Sequence, residues 1–363
     1  MEPHRTNYVE QLLGTPPFGL KAEAKNALYI RALSDLTRLH YERSAEFRKI
    51  AKLFGYDPST NYRVEDLPYL PARLFKEFEL VSIDRKNIVR TMTSSGTSGQ
   101  AVSKIHLDRN TSLNQTKVLV KIVSSFAGNK RLPFLVIDSP AVVKDRSLFS
   151  ARGAGVLGFS MLGYNTTYLL DEQYNIDFTR LDAFLEKHAG ENIMLFGFTF
   201  IVWEHFCQAL KKAGRALQMN GILIHGGGWK KLTSMAVDNA TFKETVQAVT
   251  GISTICNYYG MIEQTGSIFM ECSQGVLHTS IFSDILVRDP VTFSVVETGR
   301  IGLLQLVSLL PTSYPGHSIL TEDLGEILGV DNCPCGRKGK YFRVQGRVKS
   351  AEVRGCSDVY APN

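Results

Sequence analysis

TMTSSGTSGQAVSKIHLD, residues 91–108, runs seven hydroxyl-bearing or glycine residues together at 93–99 and closes on Lys104. A flexible linker would continue as polar, low-complexity chain. Here EFELVSIDRKNIVRTM precedes the run and KIHLDRNTSLNQTKVLVKIV follows it, both with apolar periodicity, so the loop is short and held at both ends. Hydroxyls and glycine-freed amides that end on a lysine form a nest able to wrap a phosphate anion. No Gly-Lys-Ser/Thr follows Gly96 or Gly99 at the Walker offset, and Ser98 interrupts a G-x-G-x-x-G fingerprint. An ordinary Ser/Thr-rich turn stays open on these residues alone.

Composition narrows the class. At 363 residues, 44% hydrophobic and 21% charged, the chain can bury one large core or two. The start, MEPHRTNYVEQLL, is charged from its second residue, and no apolar stretch is long enough to span a bilayer, so a cytoplasmic location and no membrane span are expected. Six cysteines in that setting read as reduced thiols, metal ligands or nucleophiles. The net charge of +6 is dispersed, which favours nucleotides or acidic partner proteins over nucleic acid.

Residues 20–55 read as helix, with Tyr29, Leu33, Leu36 and Leu39 three or four apart. Pro68 and Pro71 then fix an extended entry. Beyond residue 88, apolar runs such as LPFLVID, NIMLFGF, GILIHGGG and STICNYYG alternate with helical stretches such as FTRLDAFLEKH, the texture of an α/β fold. The expected organisation is an amino-terminal helical segment (1–90), an α/β core (91–345) and a short tail (346–363).

Four motifs fall in order: SSGTSGQ (94–100), NYYGMIE (257–263), LTEDLGEI (320–327) and QGRVKS (345–350). In that order and spacing the chain resembles the adenylate-forming enzyme superfamily. With LPYLPARLFKEFEL (67–80), HGGGWKK (225–231) and EVRGCSD (352–358), it is most similar to the LuxE-type acyl-protein synthetases within it. The resemblance implies the large amino-terminal α/β domain of the superfamily, with the usual mobile lid missing or reduced to a short tail. It also implies ATP and Mg²⁺. Thr93, Ser94, Ser95, Gly96, Thr97, Ser98 and Gly99, with Lys104, match the phosphate cradle. Glu263 matches the magnesium-contacting acid, a hard oxygen ligand. Tyr259 matches the ring stacked on adenine and Asn257 its edge contact, with Tyr258 and Gly260 beside them. Gly226, Gly227 and Gly228 allow the backbone close to the base. Asp323 and Arg347 match the ribose-binding pair. Read without the resemblance, Glu263 is a solvated glutamate, the tyrosines core, Asp323 a turn cap and Arg347 a surface residue.

Two departures stand out. Ile262 replaces the threonine that many relatives place before the acid, with Thr265 a candidate substitute. Only 348–363 follow Arg347, where relatives continue for about a hundred residues with a lid carrying a catalytic lysine. Adenylation either proceeds without that lysine, or a partner subunit or Lys349 supplies the charge.

Cys356 sits where the family's acylated cysteine would be, with Arg354 near enough to lower its pKa and Gly355 to free the tail; an exposed, unremarkable thiol is the alternative. Cys272, His278, Cys333 and Cys335 are a normal tetrahedral zinc set, resembling a cysteine cluster in phenylacetate-CoA-ligase-like proteins, against the alternative of buried reduced thiols. Cys207 and Cys256 read as core. Phe196, Phe198, Phe200 and Trp203 are candidates for an acyl pocket or for ordinary core.

The reading is ATP-dependent activation of a small carboxylic acid, by analogy a fatty acid, to an acyl-adenylate, then transfer to Cys356, with an acyl reductase or transferase as accepting partner. The alternatives are a ligase using CoA or acyl-carrier protein as external thiol, and a non-catalytic nucleotide-binding scaffold.

Overall fold

After the short α1 (Tyr8–Leu12), the helix expected over 20–55 is two helices, α2 (Ala22–Arg43) and α3 (Ala45–Leu53), in a computed structural model that describes residues 7–94, 101–143, 151–229 and 236–348. Ser44 divides them: its backbone is extended, at φ −111° and ψ 113°, and its side chain accepts from the Phe47 amide to cap α3. The expected stripe of Tyr29, Leu33, Leu36 and Leu39 is buried on α2. Lys25 is buried on the same helix. Its ammonium donates to the Ser283 carbonyl at 2.8 Å and the Thr279 hydroxyl at 3.2 Å and pairs with Asp284 at 3.4 Å. Burial lowers its pKa to about 8.

The prolines give the extended entry their fixed φ requires: β1 (Leu70–Pro71) pairs in parallel with a later strand, and one helical turn, α4 (Leu74–Glu77), follows. Strands β2 (Arg90–Thr93) and β3 (Lys104–Leu107) form a two-stranded sheet that anchors both ends of the hydroxyl-rich loop. Asp108 accepts from the Thr111 amide at 2.7 Å at the start of α5 (Arg109–Ala127).

The α/β alternation then follows as β4 (Leu132–Ile137), α6 (Ala151–Ser160), β5 (Gly163–Tyr168), α7 (Phe178–Lys187), β6 (Asn192–Phe198) and α8 (Thr199–Ile201). A π-helical stretch, Val202–Gln208, joins α8 to α9 (Ala209–Lys212); β7 (Asn220–Gly226), α10 (Asn239–Thr250) and β8 (Thr254–Tyr259) come next. Six strands complete the described chain: β9 (Phe269–Glu271), β10 (Leu277–His278), β11 (Ser283–Arg288), β12 (Gly302–Ser308), β13 (Ser318–Val330) and β14 (Lys340–Arg347). No helix among the described residues is long and apolar enough to cross a membrane.

The chain gathers into two compact units that interleave in sequence. One takes the chain through Met92, residues 101–122, and Gly260 through β14; its sheet runs β9-β10-β14-β13-β12-β11 antiparallel, with β1 parallel on β13. The other takes Thr93, Ser94 and residues 123–259; its sheet runs β5-β4-β6-β7-β8, all parallel. Strands β4 and β6 are buried along nearly their whole length, which explains their unbroken apolar sequence. In such a sheet ligands bind beyond the carboxyl ends of the strands.

Buried histidines make stability acid-sensitive. In the first unit His317 stacks on His40 at 4.9 Å, and its Nε2 hydrogen-bonds the Thr37 hydroxyl at 2.9 Å. In the second, His225 Nδ1 hydrogen-bonds Thr199 at 2.9 Å. Burial pushes both down to about 3, whereas unfolded histidine titrates near ~6.5. Between these values the unfolded state binds more protons, so their contribution is complete above the window and is lost as pH falls through it. The slope is at most about 1.4 kcal/mol per pH unit per histidine. Urea midpoints should therefore fall steadily on acidification below about pH 6.5; a flat midpoint across that window would contradict the buried neutral state.

Candidate functional site

Glu263 lies on a 3-10 turn, Ile262–Gln264, and all three residues are buried. The turn is clamped from later in the chain. Tyr314 donates its hydroxyl to the Glu263 carbonyl at 2.9 Å, and Gln264 Nε2 donates to the carbonyls of Leu306 (3.1 Å) and Gly316 (2.9 Å). A Cβ on Gly316 would lie 2.8 Å from the Glu263 carbonyl oxygen, so only glycine fits there. Burial raises the Glu263 carboxyl, while a hydrogen bond from Ser103 and the charges of Lys76 and Arg347 pull it back down. A buried carboxylate with this conflict gains from a divalent cation, and its hard oxygens suit Mg²⁺. Glu263 is thus not the solvated glutamate that its turn alone suggests. Ile262 packs in the core, and Thr265 donates its hydroxyl to the Ile262 carbonyl at 2.8 Å, closing the same turn.

Asp323 on β13 and Arg347 on β14 stand opposite each other in the ladder, with Nε donating to Oδ1 at 2.9 Å. The Asp323 side chain is 15% exposed and that of Arg347 41%, which leaves the pair reachable by a diol. Lys104, on β3, is exposed, and Thr93 on β2 is buried.

In the parallel unit the glycines after β7 differ in purpose. A Cβ on Gly226 would lie 2.4 Å from the Tyr258 ring, Gly227 takes a left-handed φ of +79°, and Gly228 faces open space. Tyr258 packs with Phe159 at 5.3 Å and Phe196 at 6.2 Å between ring centroids. Tyr259 follows it on the strand and so leaves on the other face, beside half-buried Asn257 and before Gly260. The four candidate acyl-pocket residues, Phe196, Phe198, Phe200 and Trp203, are all buried. Phe196 and Phe198 meet at 6.1 Å, whereas Trp203 stacks on Phe242 and meets Trp229.

The structure brings Cys272, His278, Cys333 and Cys335 together, with ligand atoms all within 4.8 Å of one another. Cys272 and Cys333 sulfurs are 3.9 Å apart, and Cys335 Sγ is 3.4 Å from His278 Nε2. A tetrahedron with ~2.3 Å zinc–sulfur bonds has edges of about 3.8 Å, so the set fits zinc with a contraction of roughly 1 Å at its widest edge. Burial lowers the His278 pKa to about 4, leaving the neutral imidazole that ligation needs. Purified protein never exposed to chelator should carry about one zinc per chain by elemental analysis; metal-free protein would reject the assignment. Cys207 and Cys256 are buried, in keeping with core roles.

Ser95, Gly96, Thr97, Ser98, Gly99, Lys349, Arg354 and Cys356 lie outside the described residues. Sequence reading missed Ser103 and Tyr314, which act on Glu263 from distant positions. It also missed a buried pair in the parallel unit, Arg152 and Asp138, that meets at 3.1 Å with side chains 4% and 1% exposed. Burial lifts the Asp138 carboxyl to about 6 against the pull of Arg152. The signal for it was an aspartate ending the apolar run of β4.

Comparison with known proteins places the chain in a family. The profile of a family described as acyl-protein synthetase, LuxE, matches residues 6–362. The chain is 24% identical to the long-chain-fatty-acid–luciferin-component ligase of Vibrio harveyi, over 95% of this chain and 90% of that protein. It is 25% identical to the ligase of the same name from Aliivibrio fischeri, over 94% and 90%. Among solved structures, an open conformation of 2-hydroxyisobutyryl-CoA ligase with its acyl-adenylate and CoA superposes with a TM-score of 0.69 at 15% identity, over 96% of this chain and 80% of that one. That likeness is one of fold: the α/β architecture of an adenylate-forming enzyme.

Proposed function

Because the chain belongs to the LuxE acyl-protein synthetase family, we propose that it activates a carboxylic acid with ATP and then carries the acyl group as a thioester on its own Cys356. The family match over nearly the whole chain carries this reading. The buried Glu263 and the Asp323–Arg347 pair support it. In the first half-reaction a carboxylate oxygen bonds to the α-phosphorus, the bond to the β-phosphate oxygen breaks, and pyrophosphate leaves. Asp323 and Arg347 hold the ribose, Tyr259 and Gly226–Gly228 the adenine, and the loop from Thr93 with Lys104 the phosphates. Glu263 would hold Mg²⁺, which when bound would supply positive charge against the pyrophosphate. In the second, the Cys356 thiolate attacks the acyl carbonyl, the carbonyl–oxygen bond to AMP breaks, and AMP leaves; the thiol proton goes to solvent.

A long-chain fatty acid is the substrate class that the curated relatives' names suggest. An acyl reductase or transferase then takes the acyl group from Cys356. Zinc at the cysteine–histidine cluster would be closed by four protein ligands and would take no part in either step.

Nucleotide binding tests the ribose assignment. Asp323→Ala removes charge-assisted hydrogen bonds worth about 1.5–3 kcal/mol, so ATP affinity by calorimetry should weaken roughly 10- to 100-fold. Acid-dependent ATP–pyrophosphate exchange should then need correspondingly more ATP. Unchanged affinity in a folded variant would remove Asp323 from the site.

A further inference from the structure

Strands β13 and β14 form one hairpin with the Asp323–Arg347 pair at one end and two cysteines of the candidate metal cluster in the connection at the other. Its own sequence specifies its register weakly. Phe342 is the sole fully buried residue in β14. Burial of one face is what normally fixes register, and a one-residue slip sends every side chain to the opposite face. Such a slip would carry Arg347 away from Asp323.

The cluster sits where it can block that slip. His278 is on β10, the other neighbour of β14, directly opposite Tyr341. Cys272 follows β9, and Cys333 and Cys335 lie between β13 and β14. Four bonds to one ion would tie the start of β14 to the strands on both sides. Hydrogen bonds mark the same place as an anchor: the Thr279 amide donates to the Lys340 carbonyl at 3.0 Å, and Asp331 accepts from the Gly339 amide at 2.7 Å. Lys340 and Arg347 are seven steps apart, roughly 24 Å at ~3.4 Å per residue. That is about three Debye lengths at physiological salt, so the charge of the ion cannot itself act at the ribose pair. Any effect must travel along the strand.

We propose that Cys272, His278, Cys333 and Cys335, with zinc bound, lock the register of β14 and thereby hold Arg347 on Asp323, so that metal occupancy sets nucleotide affinity from the far end of the hairpin. These four are positioning residues. The effect on nucleotide rests on the role given to Asp323 above; the lock itself does not.

The test compares wild-type protein of verified zinc content, the same protein stripped by chelator, and stripped protein reloaded with zinc. Stripping should speed amide exchange in β14 at least tenfold and weaken AMP binding about tenfold, with far-UV circular dichroism retained, and reloading should reverse both. In Asp323→Ala, stripping should still loosen β14 but cost no further AMP affinity, since the contact is already gone. Where stripping unfolds the chain, Cys335→Ser, which leaves three ligands, should show both losses and Cys335→His, which restores a fourth, neither. Stripped protein that melts earlier yet keeps native β14 exchange and AMP affinity would overturn the proposal. Loosening of β14 together with unchanged AMP affinity in zinc-loaded Asp323→Ala would uphold the lock and reject the ribose role.

Discussion

Replacing Glu263 with glutamine is expected to lower acid-dependent ATP–pyrophosphate exchange about 100-fold, roughly 2.7 kcal/mol of transition-state stabilisation. Glutamine keeps the shape of the buried side chain, and the clamps from Tyr314 and Gln264 act on backbone and on a neighbouring residue, so the turn survives. What is lost is the negative charge that, on the proposed function, would hold Mg²⁺ against the phosphates. Raising the magnesium concentration should recover part of the rate, and nucleotide affinity without magnesium should change little. Because burial raises the Glu263 carboxyl, the wild-type rate should also begin to fall on acidification at a higher pH than an ordinary glutamate would give. Normal exchange by the glutamine variant at limiting magnesium would take Glu263 out of the site.

The parallel unit was legible because its strands are buried on both faces and therefore spell continuous apolar runs, as LPFLVI and NIMLFGF do. Ser44 was not. Helical spacing continues across it, from Leu39 to Phe47 and Ala51, and only its extended backbone separates two helices. The acyl-pocket candidates span a change of period: Phe196 and Phe198 lie on a strand, the chain turns helical at Thr199, and Trp203 stacks on Phe242. Glu263 could be picked out by motif, yet its burial depends on Tyr314 and Ser103, 51 and 160 residues away, which no local pattern reveals. Short spacings pointed to the cysteines and His278, whereas their convergence depends on β10 pairing with β14.

Ile262 bears on whether the chemistry is retained. Ile262 is buried in the core, and the Thr265 hydroxyl donates within its own turn. The proposed activation therefore rests on the phosphate loop, Lys104 and Glu263, without a threonine preceding the acid.

Cys356→Ser is expected to abolish covalent acylation while leaving the first half-reaction intact. The serine hydroxyl is a far weaker nucleophile at neutral pH than a cysteine thiol. Exchange of ATP with pyrophosphate should proceed at the wild-type rate, since Glu263, Asp323 and the phosphate loop are unchanged. The decisive measurement is therefore mass spectrometry of the carboxyl-terminal peptide after incubation with ATP, Mg²⁺ and a panel of medium- and long-chain fatty acids, in wild type and Cys356→Ser. The wild-type peptide should gain the mass of one acyl group, lose it to hydroxylamine, and gain nothing when ATP is omitted; the variant should gain nothing at all. An unmodified wild-type peptide in protein that performs acid-dependent exchange, with turnover appearing once CoA or a carrier protein is added, would contradict self-acylation and make the acceptor an external thiol.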